Sequence, residues 1–153
     1  MVVWKTHLEY LHYVLRHKYY VFLWACKLGV GWRGITHDLS KFRPCEWFPY
    51  ARYFYGNGCK LEATYQAFLF AVHLHHKKND HHHQWWVLPG DGPNLKVWRM
   101  SEPAVRELLA DWLGVASVLG TNAWEWYLKN GHRLMFHSDT KRIVESNLYL
   151  LSK

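Results

Sequence analysis

At 153 residues, 50% of them apolar and 18% aromatic, the chain is long enough to bury a core and too hydrophobic for disorder. A formal charge of +7 favours an anionic partner such as a nucleotide, a nucleic acid or a phospholipid surface; the basic residues are scattered, which argues against a nucleic-acid arm without excluding one. Cys26, Cys45 and Cys59 form no C-x-x-C pair, no signal peptide is evident, and the most apolar run, Tyr19 to Trp32, contains Lys27 and falls short of the roughly 18–20 residues of a membrane span, so a soluble cytoplasmic protein is expected.

Val3 to about Leu28 predicts a long helix without Pro or Gly, followed by Gly29 and Gly31 as stop signals. Trp32 to Thr36 reads as a short connector, and His37 to Phe42 as a helical turn ended before Pro44. Glu46 to Gly58 is an aromatic loop or short helix closed by a Gly-Asn-Gly turn. Leu61 to about Lys77 predicts a helix that is apolar on most faces and therefore central. After Asn79 a Pro-Gly-Asp-Gly-Pro turn separates two apolar segments, predicting a small hairpin or irregular excursion near residues 85–100. Ser101 reads as an N-cap with Glu102 and Pro103 in the first turn, opening a helix to about Leu119. Thr121 or Asn122 starts a short helix ending at Gly131, and Ser138 caps the last one, through about Leu151. With no internal repeat or linker, the expectation is an all-α single helical bundle over 1–153, of about five or six helices.

Twelve histidines are the compositional outlier; three of them form the triplet His81–His83. His17 falls in the middle of the first helix, and His37 and Asp38 are adjacent after the connector. Tyr65, Leu69, Val72 and His76 share one helical face, as do Ala104, Leu108, Asp111, Val115 and Leu119, with a carboxylate in the centre of the second stripe. An unpaired carboxylate buried there would cost several kcal/mol, so it should be protonated, paired or bound to a metal. Mixed imidazole and carboxylate donors suit Zn, Mn or Fe.

Each residue also has a plainer reading. Asp38 near a helix start would favour the dipole by about 0.3–1 kcal/mol. His76 could be a satisfied core histidine, His81–His83 an exposed loop, and Lys41 a solvated helix residue. Arg52, between aromatic residues, either clamps an anionic group or stacks on a ring. The Trp and Tyr residues fit core and lid packing better than a base-stacking platform.

The order of His17, His37-Asp38, later histidines and Asp111 resembles the HD-domain superfamily of metal-dependent phosphohydrolases, and "H-D-L-S-K" is similar to its H-D-x-G-K signature, with Ser40 in place of Gly. The resemblance implies a helical fold of HD type, in which His17, His37, Asp38 and Asp111 hold a first metal. His76 and His82, or another of the clustered His75, His81 and His83, would complete a second. Asp38 and Lys41 would be the catalytic groups, and Lys41, with Arg52, would contact substrate phosphate. The chain also resembles a family of small, uncharacterised bacteriophage proteins through "R-H-K", "H-D-L-S-K-F", "Y-A-R-Y-F-Y-G", "H-H-K-K-N-D-H-H", "W-W" and "E-L-L-A-D-W", over residues 10 to about 150. Asp80 stands where Pro is expected and His83 where an aromatic is expected.

The function these resemblances imply is hydrolysis of a nucleotide or other small phosphoester with one or two divalent metals (Mn, Zn or Fe), in the cytoplasm of an infected bacterium. An HD-fold di-iron oxygenase is the second enzymatic reading. The non-enzymatic one is a phage accessory protein that binds a host factor or nucleotide and carries a structural metal. A homodimer stays open.

Overall fold

The computed structural model describes residues 2–56, 61–89 and 95–153. Most of the Gly-Asn-Gly turn at 56–58 and of the Pro-Gly-Asp-Gly-Pro turn at 89–93 lies outside them, as does Cys59.

The fold is all-α, with seven α-helices among the described residues and one small hairpin excursion. Helix α1 spans Val2–Lys27, and its buried positions Tyr10, Val14, His17, Val21 and Ala25 recur at steps of three and four. That spacing makes one stripe of the helix face inward. The segment expected as a connector is a helix, α2 (Gly31–Thr36), because Gly34 lets its backbone lie against α1: a Cβ there would sit 2.7 Å from that of Ala25. Tertiary packing has overridden a weak local propensity.

A 3-10 turn over Leu39–Phe42 leads into α3 (Pro44–Tyr55), which Pro44 opens at its first position. Helix α4 spans Glu62–Lys78, and a second 3-10 turn, His83–Trp86, runs into the hairpin of β1 (Val87–Leu88) and β2 (Lys96–Val97), paired antiparallel. Helix α5 (Glu102–Leu119) follows Ser101; α6 (Ala123–Asn130) is capped by the Asn122 side chain, which accepts from Glu125 N–H at 3.1 Å. Helix α7 covers Ser138–Leu151, and its cap is His137 rather than Ser138: the His137 Nδ1 accepts from Asp139 N–H. An imidazole one residue earlier does the work expected of the hydroxyl.

The central helix is α5, not α4. Leu69 and Phe70 of α4 are exposed, and its buried positions are Ala71 and His75, flanked by Phe68 and Val72. Its inward face is thus turned away from Tyr65 and Leu69, the start of the expected stripe. On α5 the buried residues lie almost all round, including Ala104, Leu108, Leu109, Ala110, Asp111 and Leu113. Gly114 brings α5 close to α1, since a Cβ there would meet Val21 Cγ2 at 2.6 Å. The Tyr10–Val14 half of α1 packs with Tyr50, Ala51 and Ala71 of α3 and α4, whereas Val21 and Ala25 pack with Ala110 of α5. His17 lies on the same stripe between these two apolar contacts.

Candidate metal centre

Four stretches of chain converge at Asp38. Asp38 is the only non-glycine residue with positive φ among the described residues, at φ 53° and ψ 26°. Adjacent side chains diverge by about 100° in a helix and alternate in a strand. The left-handed step instead brings neighbours His37 and Asp38 together, with His37 Nε2 3.2 Å from Asp38 Oδ2. Such backbone conformations cost about 1–3 kcal/mol and concentrate at functional sites. From α5, Glu107 and Asp111 project from one face at i, i+4 spacing. From α4 comes His75, and from the turn after Asn79 come His81 and His82.

The Asp38 carboxylate faces two groups of imidazoles. Around Oδ2, His17 Nε2 lies 3.3 Å from His37 Nε2, 3.2 Å from Asp111 Oδ1 and 4.0 Å from Asp38 itself. His37 Nε2 is 3.5 Å from the same Asp111 oxygen. Around Oδ1, His75 Nε2 stands at 3.2 Å and His81 Nε2 at 3.6 Å. The potential donor atoms of Asp38, His75, His81 and His82 all lie within 4.8 Å of one another, as do those of His17, His37 and Asp38 and those of His37, His81 and Asp111. Lys41 Nζ reaches Asp38 Oδ2 at 2.6 Å.

Two further carboxylates, absent from the expected set, hold the backs of these rings. His75 Nδ1–H donates to Glu46 Oε2 at 2.9 Å, which also accepts from Ser40 Oγ at 2.8 Å. Ser40, the departure from the H-D-x-G-K pattern, thus helps seat a histidine. Glu107 accepts from His37 Nδ1 at 2.9 Å, and His81 Nδ1 lies 3.2 Å away. Both glutamates are buried. Glu107 was readable as the residue one turn before Asp111; Glu46 stood in a stretch that reads equally as an aromatic loop.

The other expected residues are placed differently. His76 is only partly buried and outside the three donor groups, its ring 4.7 Å from that of His82; His75, one residue earlier, takes the inward position. His83 is buried against Phe136. Arg52 is exposed and lines a separate depression of about 200 Å³ with Phe48, Pro49 and Ala63. It sits roughly 200° around α3 from Tyr50, which faces His75. Asp80 pairs with Arg33, and its carbonyl accepts from Trp86 Nε1 at 2.6 Å.

A family model spans residues 6–149, nearly the whole chain. The chain belongs to DUF5662, a family of unknown function. No curated protein and no solved structure matches it.

The donor chemistry of this DUF5662 chain fits a metal ion. Asp38 Oδ1, His81 Nε2 and His82 Nε2 are buried and have no hydrogen-bond partner among the described residues. An unsatisfied buried polar atom costs about 1–3 kcal/mol, so three of them around one point form a ready ligand set. Burial lowers the pKa of His17 and His82, His82 well below the histidine range, which keeps their lone pairs free. Burial raises Asp38 and Asp111, but His37 and Lys41 at Asp38, and His17 and His37 at Asp111, overcome it and hold both well below the carboxylate range. Burial lowers His37 and Lys41, yet Asp38 and Asp111 carry both above their ordinary values. His76 is pushed down to about 4 by burial and the adjacent His75.

Proposed function

We propose that this DUF5662 chain, as one domain over residues 1–153, is a metal-dependent phosphohydrolase of HD-domain type acting on a nucleotide or another small phosphoester. The observation that carries the proposal is the Asp38 carboxylate, whose two oxygens face separate groups of imidazoles while the Lys41 ammonium lies 2.6 Å from one of them. His17, His37, Asp38 and Asp111 would hold the first ion. Asp38 again, with His75, His81 and His82, would hold the second, with His75 in the place first expected for His76. When bound, such ions lower the pKa of a coordinated water toward neutrality and polarise phosphoryl oxygens. Lys41, kept protonated by Asp38, neutralises charge developing on the transferred phosphoryl group. The low pKa of Asp38 and Asp111 keeps both as anionic ligands rather than proton donors. Arg52 lies roughly 200° around α3 from Tyr50, so its contact with substrate would be made from its own depression. The setting in this reading is the cytoplasm of an infected bacterium.

The test is metal analysis of the purified chain together with phosphate release from a nucleotide panel, with Mn, Zn or Fe added in turn. Bound metal and release from one substrate class are expected. Metal-free protein that releases nothing with any of the three ions refutes the reading. A second reading, a di-iron oxygenase on the same scaffold, draws support from the three imidazoles on the Oδ1 side of Asp38, since nitrogen donors suit iron. Iron in the purified protein, an EPR signal and oxygen consumption would favour it over hydrolysis.

A further inference from the structure

Each oxygen of Glu107 is committed. Oε2 accepts from Arg33 Nε at 2.6 Å, while Oε1 faces both His37 Nδ1 at 2.9 Å and His81 Nδ1 at 3.2 Å. These two rings, with centroids 4.6 Å apart, approach different oxygens of Asp38, His37 Oδ2 at 3.2 Å and His81 Oδ1 at 3.6 Å, and their donor atoms with one of Asp111 also lie within 4.8 Å of one another. Asp38 therefore joins the two donor groups at the front, and one oxygen of Glu107 joins them from behind. Glu46, by contrast, supports one ring only, that of His75. Arg33, which fixes the other Glu107 oxygen, also pairs with Asp80, the residue before His81, so the same guanidinium ties down the turn that carries the second group.

We infer that Glu107 is a positioning residue shared by both metal half-sites: it fixes the orientation of one imidazole in each, so neither half-site reaches full affinity without it. The inference rests on the two-metal reading above and adds to it a dependence of both ions on one residue that ligates neither. With its oxygens engaged by two N–H groups and a guanidinium, Glu107 has no role as a ligand or a catalytic acid. Outer carboxylates that orient ligating histidines typically change metal affinity by about 10–100-fold. That factor should apply here to two ions at once.

The test is calorimetric titration of Mn²⁺ or Zn²⁺ into the metal-free full chain, with the imidazole nitrogen resonances followed by NMR. Glu107→Gln should weaken both binding steps by about 10–100-fold, and shift the Nδ1 signals of both His37 and His81. Glu46→Gln should weaken one step only and shift His75 alone. Wild-type affinity in both steps of Glu107→Gln, or loss confined to one step, overturns the inference. If Glu107→Gln does not fold, Arg33→Gln takes its place: weakening of both steps supports the shared role, and unchanged affinities overturn it. Wild-type chain that binds neither ion sinks the two-metal reading instead, while the paired shift of His37 and His81 still reports whether Glu107 orients both.

Discussion

Asp38 is where metal binding and folding are expected to depend on the same charge. Asp38→Asn keeps the side-chain shape and removes the buried charge, leaving the partly buried Lys41 ammonium without its counterion at 2.6 Å. Breaking such a pair costs about 3–5 kcal/mol, so a lower urea midpoint and loss of bound metal are both expected. Charge-free Lys41→Met should instead retain metal while losing phosphate release, which metal analysis beside an activity assay would read. Glu107 sets a pH dependence: burial raises its carboxyl, but hydrogen bonds from His37 and His81 pull it down to about 2. A carboxyl whose folded pKa is depressed stabilises the fold above its unfolded value, roughly 4.3, and loses that contribution as pH falls toward the folded value. The metal-free chain should therefore melt progressively lower between about pH 5 and pH 2, with a shallower slope in Glu107→Gln. Among single residues, Asp111 stood out on its apolar stripe and His37 with Asp38 as an adjacent pair, whereas His17 entered only through the residue order that the resemblance supplied. The choice between His75 and His76 was not, since 100° of helix rotation separates them and both have similar neighbours. His81, His82 and His83 sit outside any periodic element, where spacing carries no direction.

Among the elements, α1 and α5 position the centre, and their closest approach is Gly114 on Val21. Gly114→Ala would place a methyl 2.6 Å from Val21 Cγ2 and 3.0 Å from the Val21 backbone nitrogen. The helices must then separate, at about 1–3 kcal/mol for overpacking. His17 and Asp111 stand one turn from this contact on their respective helices, so thermal denaturation should show the loss of stability and metal titration a parallel loss of affinity. The long helices were readable from their apolar periodicity and from Pro, Gly and Asn at their ends. Two elements were not. In α2, the glycines that read as loop former serve close packing against α1. In α4, an apolar surface on most faces conceals which face is buried, and Leu69 and Phe70 are left exposed.

Across the whole molecule, the donors come from α1, the turn after α2, α4 with the turn that follows it, and α5, so the centre exists only when these have docked. An ion bound there stabilises the folded state alone, by about 2.7 kcal/mol at a hundredfold excess over its dissociation constant. Chelation should thus lower the melting temperature, and adding back Mn, Zn or Fe should restore it, read by scanning fluorimetry with and without EDTA. No helix among the described residues is long and apolar enough to cross a membrane, in keeping with Lys27 interrupting the most apolar run.

The left-handed backbone at Asp38 restricts which amino acid can stand there. Glycine takes that conformation most easily but offers no donor, and asparagine tolerates it but supplies no negative charge. Glutamate has the charge and lacks the tolerance. Aspartate alone meets both demands, so the geometry of the main chain and the chemistry of the ion proposed to bind there would select the same side chain for independent reasons.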